Sequence, residues 1–145
     1  MTLYTPITKK ELIKLIKDNV PGDQIDVKHI TNMSGLFRYS SYNHPLDTWD
    51  VSRVTNMDGM FENSEYNHPL DSWDICRVQT MECMFSESQY NHPLDSWDVS
   101  QVKFMHGMFA KSHYNHPLNS WDICNAMNTD HMFLNSKFNY PPPKK

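Results

Sequence analysis

Apolar side chains return along this chain with a fixed spacing of 24 residues. Trp49, Trp73, Trp97 and Trp121 mark it, as do Phe37, Phe61, Phe85, Phe109 and Phe133, and Met57, Met81 and Met105. Within each unit the pattern changes character. In Leu70-Asp71-Ser72-Trp73-Asp74-Ile75, apolar Trp73 and Ile75 alternate with polar Ser72 and Asp74, which predicts a short strand with one buried face. In Ser52 to Asn63, Val54, Met57, Met60 and Phe61 fall at i, i+3, i+6 and i+7, which predicts one face of a helix with Ser52 as its N-cap. Gly59 and Gly107 inside that stretch point to a tight, partly 3₁₀ turn. Asn63 to His68 then reads as the loop back to the next strand. One unit cannot bury its own Trp, Met and Phe, whereas stacked units bury them in continuous columns. The expected fold is α/β: a right-handed solenoid of about five coils, each with one short parallel strand and one short helix.

Three segments follow from this pattern. Residues 1–24 are read as an N-terminal capping helix and lead-in. Thr8 and Glu11 have capping-box spacing, Leu12, Ile13, Leu15 and Ile16 carry an apolar face, and Pro21-Gly22 ends the segment, so a helix is expected over about residues 9–19. Its apolar face should cover the first coil. Residues 25–139 form the repeats, with a degenerate first copy and a truncated last one. Residues 140–145, with Pro141-Pro142-Pro143-Lys144-Lys145, form a tail that cannot continue a strand ladder.

Composition adds exclusions. A net charge of −4 on 145 residues argues against nucleic acid as partner. No apolar run is long enough to span a bilayer. The start Met1-Thr2-Leu3-Tyr4-Thr5-Pro6 lacks the apolar core of a signal peptide, so a cytoplasmic location is expected. Cys76, Cys83 and Cys124 lack the spacing of a disulfide framework or a zinc site. Cys76 and Cys124 share a column two coils apart, roughly 10 Å, too far for a disulfide. All three are expected to be reduced and in or near the core.

The motif Trp-Asp-Val-Ser-x-Val-x-x-Met-x-x-Met-Phe, at Trp49–Phe61 and Trp97–Phe109, resembles the BspA-like leucine-rich repeats of bacterial surface proteins, mycoplasma lipoproteins and some large DNA viruses. Ile30 to Phe37 resembles that family's first repeat, and the resemblance covers about residues 25–139. It implies a leucine-rich-repeat-like solenoid used for protein binding or adhesion, without catalysis. It also implies the cell surface or a virion as an alternative location.

Four polar columns are candidates for chemistry. Asn43, Asn67, Asn91, Asn115 and Asn139 are expected to be structural, each bonding loop backbone and its own copy. Asp50, Asp74, Asp98 and Asp122 are expected to accept backbone N–H groups at the start of each helix; clustered oxygens for a hard cation are the sharper reading. Asp47, Asp71 and Asp95, with Asn119, add a second acidic column that would favour a basic partner. His44, His68, His92 and His116 are read as polar spacers, with transition-metal binding the lesser alternative.

These candidates recur in every coil rather than converging in one pocket, which argues against an enzyme. No cofactor is expected. The expectation is a non-enzymatic protein–protein interaction module. Its contacts would come from Asp47, Asp71, Asp95 and Asn119 and from Asp50, Asp74, Asp98 and Asp122, with specificity from Arg38, Glu62, Glu65, Gln89 and His113. The alternative is a structural or assembly component that docks through the solenoid ends or tail and can self-associate.

Overall fold

The computed structural model describes residues 3–145. Its first element, helix α1, spans Lys9–Lys17. Thr8 accepts the Glu11 N–H through Oγ1 at 3.2 Å, and the Glu11 carboxylate reaches back to the Ile7 N–H at 2.9 Å. Both bonds satisfy donors that the first turn leaves free. The helix stops two residues before the expected end because Asn19 turns left-handed at φ 57°. Asn19 N–H then bonds Ile16 C=O and Val20 N–H bonds Leu15 C=O, the paired bonds of a Schellman stop. Leu12 and Ile16 are buried against the core.

Beyond α1 the architecture differs from the expected α/β solenoid. Among the described residues, the remaining helix is a single 3₁₀ turn, Gly22–Gln24, and β-pairing is confined to five isolated parallel bridges. No coil contains a strand and a helix. Each is a succession of tight turns.

The backbone of the stretch read as a helix shows why. Gly59 and Asn63 have φ of 59° and 51°, and every coil repeats a left-handed residue at both positions. Two such residues four apart cannot belong to one right-handed helix. Three-residue turns close locally, as in Met60 N–H to Met57 C=O and Ser64 N–H to Phe61 C=O. The remaining N–H groups point along the stack. Those of Met57, Gly59, Phe61 and Asn63 donate to the carbonyls of Thr80, Glu82, Met84 and Ser86 in the next coil at 2.8–3.0 Å. Reversing turns bring Val54, Met57, Met60 and Phe61 to the interior at nearly the spacing a helix would. The apolar pattern therefore reports burial correctly and conformation wrongly.

The stretch read as a strand fails for a different reason. Trp73 N–H bonds Leu70 C=O at 3.1 Å, and Val78 N–H bonds Ile75 C=O at 2.9 Å, so the chain turns where it should extend. Coils are joined here by side chains. The indole Nε1 of Trp73 donates to Leu46 C=O of the preceding coil at 2.8 Å, and Trp97 and Trp121 do the same to Leu70 and Leu94. The Tyr66 hydroxyl accepts the Leu46 N–H at 3.1 Å, and Tyr90 and Tyr114 serve Leu70 and Leu94.

Between these two sides the rings stack in columns. Phe61 and Phe85 lie 5.5 Å apart at 5°, Tyr66 and Tyr90 6.4 Å apart at 3°, and Trp73 and Trp97 6.4 Å apart at 2°. Val54, Met57, Met60, Phe61, Tyr66 and Leu70 are fully buried, as are their counterparts in the next coil. The cysteines depart from expectation: Cys76 and Cys124 are exposed and Cys83 is half-buried at one of the left-handed positions. Position 76 follows the buried Ile75 on a turn that faces outward, so its small side chain was no guide to burial.

Candidate functional site: the polar columns

The first acidic column sits on the turn after each tryptophan. Asp50 Oδ1 accepts the Ser52 N–H at 3.0 Å and the Ser52 hydroxyl at 2.6 Å; Asp98 does the same with Ser100. Asp74 and Asp122 accept the N–H groups of Cys76 and Cys124 at 3.1 and 3.0 Å. No helix follows, so Ser52 caps nothing, and the carboxylate closes an Asx turn instead. The Ser52 hydroxyl bond, followed by its N–H, holds the Asp50 carboxyl below its ordinary range; the Ser100 pair does so for Asp98 and the Cys124 N–H for Asp122. These groups are therefore carboxylates at neutral pH.

The second column is more varied. Asp95 accepts both the N–H and the hydroxyl of Ser120, at 2.8 and 2.9 Å. Asp47 and Asp71 act through their main-chain carbonyls, which accept the hydroxyls of Ser72 and Ser96. Asp47, Asp71 and Asn119 are exposed and Asp95 half-exposed. Among the described residues, no lysine or arginine forms a salt bridge with any carboxylate of either column. Arg38, a proposed specificity residue, instead pairs with Glu62 at 3.5 Å and lies across Gly59.

The histidines are half-buried with their rings edge-on to the buried tyrosines, as for Tyr66 and His68 at 5.6 Å. His68, His92 and His116 direct Nε2 at the carbonyls of Asn43, Asn67 and Asn91, at 2.7, 3.0 and 3.1 Å. His44 Nε2 meets Asn19 Oδ1 at 3.1 Å. A carbonyl only accepts, so each of those three Nε2 atoms carries a proton and is committed to the stack. Among the described residues no three His, Cys, Asp or Glu side chains gather as a metal-ligand set. The asparagines form the expected ladder, Asn43 Oδ1 accepting the Asn67 N–H at 3.1 Å and so on to Asn139, but mostly on exposed loops.

Two columns were missed by reading the sequence. Ser64, Ser88 and Ser112 are buried and accept the N–H groups of Tyr66, Tyr90 and Tyr114, whose rings fill the core. Both residue types recur at 24-residue spacing inside the stretch taken for a loop, and that recurrence was the available signal. Burial raises the tyrosine hydroxyls well above their ordinary range.

Residues 10–113 and 86–143 match DUF285, a family described as a Mycoplasma protein of unknown function. The chain belongs to this family. It is that of the BspA-like repeats in general. Neither the curated proteins nor the solved structures contain a significant match.

Proposed function

We propose that this DUF285 chain is a non-enzymatic protein-interaction module that offers its acidic columns to a basic protein partner. One observation supports this most: Asp47, Asp71, Asp95, Asp50, Asp74, Asp98 and Asp122 stand in two regular rows, without salt-bridge partners among the described residues. The carboxylates of Asp50, Asp74, Asp98 and Asp122 are held in turns and that of Asp95 by Ser120, so these need little reordering on association and little conformational entropy opposes their binding. The short Trp-Asp-Val-Ser-x-Val-x-x-Met-x-x-Met-Phe repeat, with its resemblance to leucine-rich repeats used in adhesion, supports the same reading.

The test compares the intact protein with a variant carrying Asp50→Asn, Asp74→Asn, Asp98→Asn and Asp122→Asn. Asn keeps the Oδ1 acceptor of the turn, so the fold is expected to persist, which circular dichroism checks. Both proteins are immobilised and presented with peptides of alternating Lys and Ser or alternating Glu and Ser. The intact protein should retain the Lys peptide, release it as salt rises, and lose most of it in the Asn variant. Equal retention of both peptides, or no loss in the folded variant, overturns the proposal.

A further inference from the structure

The main-chain bonds between coils have a direction. At every junction the inner four run one way: Met33, Gly35, Phe37 and Tyr39 donate to Asn56, Asp58, Met60 and Glu62, and the next three junctions repeat this down to Lys111 and Leu134. On each flank one or two bonds run back, as with Thr55 to Thr31 and Glu65 to Ser40. The centre of the stack therefore points its N–H groups toward the C-terminal coil and its C=O groups toward the first. Aligned peptide dipoles leave partial positive charge where N–H groups are unpaired and partial negative charge where carbonyls are.

The two ends are treated differently. At the first coil the carbonyls of Asn32, Ser34, Leu36 and Arg38 accept no main-chain bond. Helix α1 lies over this acceptor edge: Lys9 Nζ donates to Ser34 Oγ at 2.8 Å, and Ile13, Ile16 and Lys17 share a groove with Leu36 and Arg38. A lysine-bearing helix thus faces the negative end. At the last coil the N–H groups of Thr129, His131, Phe133 and Asn135 occupy the donor positions of the earlier coils and bond nothing among the described residues. The proline tail shares a groove with Asn119, Trp121 and Asp122 and accepts none of these N–H groups. Met127 precedes this donor edge and Leu134 lies between its last two donors, 70% and 47% exposed.

Charge agrees with dipole. Residues 103–145 carry five lysines against two aspartates, whereas residues 41–102 carry eleven acidic side chains against two arginines.

We propose that the open donor edge of the last coil docks an extended acidic polypeptide segment, whose main-chain carbonyls take the N–H groups of Thr129, His131, Phe133 and Asn135. Binding of this kind adds a rung to an existing ladder, with main-chain bonds supplying affinity and flanking side chains supplying selectivity. Carboxylates are favoured because the unpaired, oriented N–H groups leave partial positive charge at this edge, and residues 103–145 carry five lysines against two aspartates, one of which, Asp130, lies between the donors. Met127 before the first donor and Leu134 between the last two give apolar anchors. A second copy of this chain is disfavoured, because its matching acceptor edge lies under α1 and its own last coil also offers donors. This surface is separate from the acidic columns, so either proposal can fail while the other stands.

The probe is a fluorescein-labelled peptide of alternating Glu and Val, with the Lys and Val counterpart as control, titrated with the intact protein. Anisotropy should report binding of the Glu peptide alone, and amide resonances of Thr129, His131, Phe133 and Asn135 should shift most. Leu134→Asp places a like charge on an exposed position, and Thr129→Pro deletes one donor without costing an existing bond. Each should weaken binding by up to about tenfold, the scale of one main-chain hydrogen bond or one exposed like-charge contact. Asp50→Asn should leave binding unchanged. The proposal falls if the Lys peptide binds as well, if single-stranded nucleic acid competes equally, or if shifts map away from the last coil. It also falls if the free protein self-associates and Leu134→Asp abolishes that association.

Discussion

Two sides of each coil face the same core and hold it by different means. On the Met57–Asn63 side, coils are joined by main-chain bonds that do not depend on which side chains are present. On the Leu70–Ile75 side they are joined by Trp and Tyr side chains reaching the backbone of a neighbour. Sequence tolerance should differ accordingly. The left-handed column, which only the ladder constrains, bears it out: it reads Gly35, Gly59, Cys83, Gly107 and His131, whereas the core-filling Met57 and Phe61 columns on the same side repeat as strictly as the Leu, Trp and Tyr opposite. A side-chain clasp fixes residue identity, while a backbone ladder fixes only conformation.

The sharpest way to break this contrast is Trp97→Ala. It removes a buried ring and leaves Leu70 C=O without its indole donor, and should cost about 3–5 kcal/mol in urea unfolding. Tyr90→Phe keeps the ring but orphans the buried Leu70 N–H, for a loss of about 1–3 kcal/mol. The same hydroxyls make this side sensitive to alkali. Burial raises Tyr66, Tyr90 and Tyr114 above their ordinary range, so their stabilisation is complete below about pH 10 and is lost as pH rises through the folded values. An alkaline unfolding curve should therefore be shallower for Tyr90→Phe than for the intact protein.

Ladder-side effects should be smaller and turn on backbone geometry. Gly59→Ala forces a side chain into a left-handed position beneath the Arg38 guanidinium, and should cost about 1–2 kcal/mol. Cys83→Gly makes the reverse change in the same column and should raise stability by about 0.5 kcal/mol, strain relief outweighing the added freedom of the unfolded glycine. A destabilised Cys83→Gly protein would show that the Cys83 side chain contributes packing that outweighs its strain.

These differences also explain what could be read from the sequence. The 24-residue period, the buried Val, Met, Phe, Leu and Trp columns, α1, the Asn ladder and the Asp turns were legible, because each depends on residue type at a fixed position. The path of the main chain was not. An apolar residue at i, i+3 and i+7 faces inward on a helix, and equally on a run of reversing turns; only the sign of φ separates them. Glycine at 35, 59 and 107 and asparagine at 63 and 135 hinted at left-handed turns, but Tyr39, Cys83, Glu87 and Lys111 occupy the same positions and masked the hint. The strand pattern failed similarly, since alternation over Ser72 to Ile75 is too short to exclude a turn. Of the candidate site, the identity and outward placement of the aspartates were legible. The clasping role of Tyr66 and the burial of Ser64 were not, because both depend on contacts with a coil elsewhere in the chain.

The direction of the inter-coil bonds also has a mechanical consequence. They lie along the axis of the stack, so tension applied between the chain termini acts on one junction at a time rather than on all of them together. The molecule should lengthen in discrete yields, each freeing one 24-residue coil, or roughly 80 Å of extended chain, while the coils behind it remain wound.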